Sequence, residues 1–163
     1  MDDKPHQQRF DAGLKTRREV LGAEYVDQSM STTDVFNREF QELLNTYCWN
    51  DIWNRPGLPR HTRSLLNLEM LTALGKGPEL KLHIRGALNN GVSKDEIKEV
   101  FLQAAIYAGV PAAVEAFRSA REVFAASGIG DRASGIGDRA SGISDHAPKA
   151  GGQASDSKTA DRR

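Results

Sequence analysis

From Ser127 onward the chain has almost nothing with which to build a core. Residues 127–133 read Ser-Gly-Ile-Gly-Asp-Arg-Ala, the same seven recur at 134–140, and Ser-Gly-Ile-Ser-Asp-His-Ala follows at 141–147. Each repeat offers a single apolar side chain (Ile129, Ile136 and Ile143) among glycines, too little burial to offset the entropy of ordering. A seven-residue period signals a coiled coil only when two positions are apolar and glycine is absent, and three short repeats are too few for a solenoid. We therefore expect two parts: a folded domain over residues 1–126 and a disordered low-complexity tail over 127–163. The first part holds all 6 Phe, 3 Tyr and 2 Trp of the 163-residue chain.

The folded part reads as helix throughout, with no segment of strand-like alternation. Arg9 to Leu21 is a weakly amphipathic helix stopped by Gly22. Thr33 can cap a helix running to about Cys48, with Val35, Phe36, Phe40, Leu43 and Leu44 as its apolar side. Asn50 to Pro59 is a loop marked by Asn54-Arg55-Pro56-Gly57. A helix rich in Leu and Met runs from Pro59 or Arg60 to Gly75. Gly77-Pro78 opens the next, where the missing N–H of proline costs nothing, and Gly91 ends it. Ser93 and Glu96 form a capping box, so a further helix begins at Lys94, with Ile97, Val100, Phe101, Ala104 and Ala108 along one side, and stops at Gly109. Pro111 opens the last, with Ala113, Ala116, Phe117, Ala120, Val123 and Phe124 at helical spacing. The expected fold is all-α, a single domain of about six helices.

Charge and cysteine content narrow the functional classes. Lys+Arg and Asp+Glu both number 22, so the chain lacks the basic bias of a nucleic-acid or membrane-surface protein. The longest apolar runs are far too short to span a bilayer, and the polar start Met1-Asp2-Asp3-Lys4-Pro5 lacks the apolar stretch of a signal peptide. The single cysteine, Cys48, permits no intramolecular disulfide and no cysteine-based zinc site. These features fit a cytoplasmic protein.

The helix after Pro78 carries the chemistry. Leu80, Ile84, Ala87 and Leu88 form its buried stripe, and Glu79 and His83 lie one turn apart at the border of that stripe. A carboxylate and an imidazole so placed can move a proton. On this helix alone a surface ion pair is the favoured reading, and one Glu with one His is an incomplete metal site. Arg55, Arg60, Arg63 and Arg85 are candidate clamps for a carboxylate, since the planar guanidinium suits it. Ser64 can bind a carboxylate oxygen or bond back to its own helix. Trp53 and Leu58 can wall a ring or simply pack. Tyr107 can donate from its hydroxyl, and His61 is a weaker candidate than His83.

These residues together resemble a known family. Trp53-Asn54-Arg55-Pro56-Gly57-Leu58, Arg63-Ser64-Leu65-Leu66, Glu79 with His83, Asn90-Gly91, Glu96-Ile97 and Tyr107-Ala108-Gly109-Val110-Pro111 are similar, in that order, to the 4-carboxymuconolactone decarboxylases. Arg17-Arg18-Glu19-Val20-Leu21-Gly22 fits as well. The resemblance spans about residues 9–126. It implies a fold like that of the alkyl hydroperoxide reductase D-type peroxidases and a homo-oligomer, typically a hexamer. It also implies a cofactor-free, metal-free decarboxylation in protocatechuate breakdown. The implied substrate is a lactone bearing two carboxylates, and the product is the enol-lactone of 3-oxoadipate. His83 and Glu79 are then the catalytic pair, with Arg55, Arg60, Arg63, Ser64, Arg85, Trp53 and Tyr107 around the substrate.

Two other readings stand beside it. One is a non-enzymatic helical oligomer that binds a small molecule. The other is a thiol peroxidase, but the Cys-x-x-Cys that precedes the histidine in the related peroxidases would fall on Lys76 and Glu79, which have no thiol chemistry.

Overall fold

The computed structural model describes residues 5–128. The tail repeats, with the disorder expected of them, lie outside the described residues. Among the described residues there are seven α-helices and no strand: α1 His6–Leu21, α2 Ala23–Ser31, α3 Arg38–Leu43, α4 Arg60–Ala73, α5 Gly77–Asn89, α6 Lys94–Tyr107 and α7 Val110–Ala126. A π-helical segment, Leu44–Ile52, continues α3.

The all-α class is as expected, and the C-terminal half follows its periodicity closely. Ser93 caps α6 by accepting from the Glu96 N–H, and the Glu96 carboxylate accepts in return from the Ser93 N–H. Leu68, Leu80, Ile84, Ala87, Val92, Ile97, Phe101, Ala116, Ala120 and Val123 form one apolar core between α4, α5, α6 and α7. Phe101 meets the ring of Phe117 edge-on at 5.6 Å.

The N-terminal half departs from expectation in three places. The first is α2, a seventh helix not anticipated from the sequence. Gly22, at φ 92°, ends α1 and turns the chain directly into α2, so the glycine joins two helices rather than opening a loop. The second is the Thr33–Cys48 segment. Thr33 does not cap it. Asp34 does the local work instead: its carboxylate accepts from the Phe36 and Asn37 N–H groups, while Asn37 Oδ1 accepts from the Asp34 N–H. The backbone therefore turns before α3 begins at Arg38. Third, the loop expected from Asn50 starts later, because the π-helical segment runs to Ile52 and is closed by Trp53 N–H donating to the Cys48 carbonyl at 3.1 Å.

Of the five residues expected on the apolar side, Leu44 alone turns inward and the other four face outward. Val35, Phe36, Phe40 and Leu43 are 87%, 95%, 60% and 55% exposed. Gln41, Asn45, Thr46 and Asn50 are buried in their place. The cause is Arg17 of α1, which is itself buried. Its Nη1 donates to Gln41 Oε1 at 2.9 Å and to Asn45 Oδ1 at 3.4 Å, and its Nη2 to Ser29 Oγ at 3.3 Å. A buried guanidinium must find acceptors, and the polar side of α3 and the π-helical segment supplies them.

Gly13 lets α1 come close enough for this. A Cβ there would lie 1.8 Å from the Asn45 carbonyl oxygen, so no residue but glycine fits against the π-helical backbone. Arg9 ion-pairs with Asp51 and lies over the Tyr47 ring, fastening the other end of the contact. A second core of Val20, Leu21, Val26, Trp49 and Trp53 results. Helix α5 touches both cores, with Leu80 and Ile84 in the first and Leu82 against the second. His83 stands between them.

Candidate active site

His83 sits on α5 where three other elements converge. The π-helical segment brings Trp49, and the loop residue that follows it brings Trp53. Their rings stack at 4.9 Å with an interplanar angle of 24°. The imidazole lies 6.4 Å from each, nearly parallel to Trp49 at 3° and 22° from Trp53. On its other flank, α4 places Asn67 Nδ2 3.4 Å from His83 Nδ1. One turn back along α4, the buried Ser64 hydroxyl accepts from Asn90 Nδ2 at 2.9 Å. These two polar contacts cross the antiparallel α4–α5 pair side by side and set its register.

Burial lowers the pKa of His83 to about 4, while the charge of Glu79 pulls it upward. Desolvation wins, so the imidazole is neutral near pH 7. Glu79 is exposed and makes no hydrogen bond or ion pair among the described residues. It acts on the ring through its field, not through contact.

The four candidate arginines separate by environment. Arg60 is already engaged: it pairs with Glu19 at 2.7 Å and donates to Thr16 Oγ1 at 3.3 Å. Arg55 and Arg85 are exposed and carry no ion pair among the described residues. Arg63 is half-buried, also without an ion pair among them; its Nη2 donates to the Arg55 carbonyl at 3.2 Å and its buried Nε has no acceptor. It stands one turn from Asn67 on α4, on the side that meets His83. The structure thus brings Trp53 and Asn67 to His83, while Arg63 and Ser64 lie one turn from Asn67 on α4.

Tyr107 lies elsewhere. It is 82% exposed and, with Leu65, Leu66, Val100, Leu102 and Ile106, lines an open groove of about 780 Å³ between α4 and α6. His61 pairs with the capping residue Glu96 at 3.1 Å. Leu58 is 40% exposed.

Two residues around His83 escaped the sequence reading. Trp49 falls four positions before Trp53, a spacing that signals an aromatic pair, but the expected loop boundary separated them. Asn67 falls four positions after Arg63.

Cys48 is half-buried, and burial pushes its thiol pKa up although Arg17 opposes this. That is the wrong direction for a nucleophile. Among the described residues no group of three or more His, Cys, Asp or Glu is placed to hold a metal ion, and no helix is long and apolar enough to cross a membrane.

The described residues thus form an all-helical domain that presents a desolvated histidine on α5, with Arg55, Arg63 and Arg85 free of carboxylate partners among them. Residues 38–122 match the sequence profile of the carboxymuconolactone decarboxylase family. The chain is 47% identical over 123 residues to a 4-carboxymuconolactone decarboxylase of Acinetobacter baylyi, covering 76% of this chain and 92% of that one. It is 45% identical over 115 residues to a nitrosuccinic acid decarboxylase of Metarhizium robertsii, covering 71% and 80%. A 4-carboxymuconolactone decarboxylase of Pseudomonas putida matches at 43% over 51 residues, 31% of this chain and all of that one. The chain belongs to the carboxymuconolactone decarboxylase family, and with that to the carboxy-lyases.

Proposed function

We propose that the protein decarboxylates 4-carboxymuconolactone to the enol-lactone of 3-oxoadipate, a step of protocatechuate degradation, without a cofactor. The relatives named for this substrate support the reading. The observation that carries it into the structure is His83: a neutral imidazole held against Trp49 and Trp53 and in reach of Asn67.

The chemistry follows from the substrate. Breaking the bond to the departing carboxylate releases carbon dioxide and leaves its electron pair on the ring. That pair moves through the ring double bond to the lactone carbonyl, giving a dienolate, and a proton taken from solvent then adds to the carbon next to that carbonyl. The substrate is its own electron sink. The protein's part is to hold the remaining carboxylate and to stabilise the oxygen on which charge develops.

Arg63 is the best placed of the four arginines for the first task, with Arg55 beside it. His83 suits the second. An imidazole with a pKa of about 4 is not an imidazolium near neutral pH, so it serves as a neutral hydrogen-bond donor to the dienolate oxygen. Glu79 supplies a nearby charge and Trp53 a dry wall. A dry wall matters because a cation on the departing carboxylate would stabilise the ground state and slow its loss.

Turnover of carboxymuconolactone followed by ultraviolet absorbance tests the reading. His83→Ala should lower kcat by roughly 10²–10³-fold, the loss expected for one oxyanion donor, and Arg63→Ala should cost about 1.5–3 kcal/mol of substrate binding. Unchanged turnover in a folded His83→Ala protein would remove the assignment. A second reading is decarboxylation of another dicarboxylate, favoured by the nitrosuccinic acid decarboxylase relative; offering both acids to one preparation distinguishes them.

The catalytic domain is residues 1–126. A chain ended at Ala126 should keep wild-type turnover and oligomer size, measured by the same assay and by light scattering. We also infer a homo-oligomer, a hexamer by family resemblance, supported by the outward Leu66, Met70, Leu102, Ile106 and Val114 on α4, α6 and α7. A single unpaired thiol suits the cytoplasm.

A further inference from the structure

We propose that Asn67 is a positioning residue that holds His83 as the tautomer with its proton on Nε2. The inference deepens the proposed function and rests on it for its catalytic meaning. It names what decides whether His83 donates or accepts.

The geometry leaves the ring little choice. The amide nitrogen Nδ2 of Asn67 is 3.4 Å from His83 Nδ1, and a primary amide nitrogen only donates. The ring nitrogen facing it must offer a lone pair for the contact to be attractive. In a neutral imidazole one nitrogen carries the proton and the other the lone pair. With Nδ1 as acceptor, the proton is on Nε2. Rotation of the ring is resisted by Trp49 and Trp53, which lie nearly parallel to it. The helix pair that sets the distance is clasped by the Asn90–Ser64 bond, so the amide and the ring meet in a defined register.

The consequence is chemical. A ring protonated at Nε2 presents a donor on the edge away from Asn67 and has no lone pair there. It can stabilise an oxyanion but cannot act as a base at that atom. Were Asn67 turned so that its Oδ1 faced the ring, Nδ1 would carry the proton and Nε2 would be a bare acceptor, the opposite function. One amide therefore selects between two chemistries, and Glu79, whose charge also acts on the ring, selects neither because it does not touch it.

Asn67→Asp is a near-isosteric test. An ionised carboxylate accepts and cannot donate, so it should draw the proton to Nδ1 and leave Nε2 bare. Full-length protein labelled with ¹⁵N-histidine is measured at alkaline pH, above the ordinary imidazole range, where the neutral ring is observed. His6, His61 and His146 are assigned by Gln substitution. Wild-type His83 should show a protonated Nε2 and an unprotonated Nδ1. Asn67→Asp should reverse the pair, and Asn67→Ala should give a mixture. In steady-state assays at the same pH, Asn67→Asp should lower kcat roughly tenfold or more with KM nearly unchanged, the signature of an interaction made only in the transition state.

A wild-type His83 protonated on Nδ1, or an Asn67→Asp protein that keeps the proton on Nε2, overturns the proposal. Reversal of the tautomer with kcat unchanged overturns its catalytic meaning. The two readings fail separately. Full activity in His83→Ala removes the catalytic role proposed for His83 and leaves the tautomer standing on the spectrum. A wrong tautomer with inactive His83→Ala does the converse.

Discussion

The two halves of the domain treat amphipathicity in opposite ways. In α5, α6 and α7 the apolar stripe is the buried one: Leu80, Ile84, Ile97, Phe101, Ala116 and Ala120 are all inside. In α3 and the π-helical segment Trp49 is inside, but the apolar residues Phe40 and Leu43 are outside, and Gln41, Asn45 and Asn50 are inside. Periodicity reveals which residues share a face. It does not say which face turns inward, because that depends on what the neighbouring element presents. Helices α6 and α7 present each other with alanine and phenylalanine. Helix α1 presents Arg17.

Truncation of a phenylalanine in each half gives the sharpest contrast. Phe101→Ala removes a fully buried ring and should cost about 3–5 kcal/mol in urea unfolding. Phe40→Ala removes one that is 60% exposed and should change protomer stability by no more than about 0.5 kcal/mol. Equal losses in the two variants would break the comparison and show that α3 buries its apolar side in solution.

The same contrast sets how much was legible beforehand. The helices after Pro59 were readable because their signals are local: Pro near a first turn, Gly at a stop, and the Ser93–Glu96 box, which closes as a capping box. His83 could be named because it lies at the border of a stripe that is indeed buried. The surroundings of His83 could not. Asn67 and Trp49 come from other elements: Trp49 approaches through the close contact of Gly13 with the Asn45 carbonyl, and Asn67 through the α4–α5 pair that Asn90 and Ser64 clasp, long-range facts with no local mark. Arg17 was hidden for a similar reason, since one arginine in a charged helix carries no sign that it points inward.

His83 lies between the two cores, so its titration reports on both. Its folded pKa is lowered to about 4 from an ordinary 6.5. The unfolded chain therefore takes up this proton first as pH falls. The stability contributed by the neutral imidazole is complete above about pH 6.5 and is lost as pH drops towards about 4. The loss is at most roughly 3 kcal/mol. Comparing denaturant midpoints across that window in wild type and in His83→Gln isolates it. The wild type should lose more stability than the variant on acidification. Parallel curves would mean that His83 is not desolvated, and that the seam between the two halves is open to water.

The smallest expected effect tests the cause of the inverted half directly. If Arg17 is what draws the polar side of α3 and the π-helical segment inward, removing its charge strands the acceptors it serves. Arg17→Met should cost about 1–3 kcal/mol, because Gln41 Oε1 loses its donor while staying buried. Gln41→Leu alone should cost a similar amount, since it leaves the guanidinium short of an acceptor. The double variant replaces both partners with apolar groups of comparable size, and such exchanges are often neutral. It should therefore be more stable than the sum of the single losses predicts, with a coupling of about 1 kcal/mol or more. Strict additivity would mean that Arg17 and Gln41 do not depend on each other, and that the orientation of α3 has another cause.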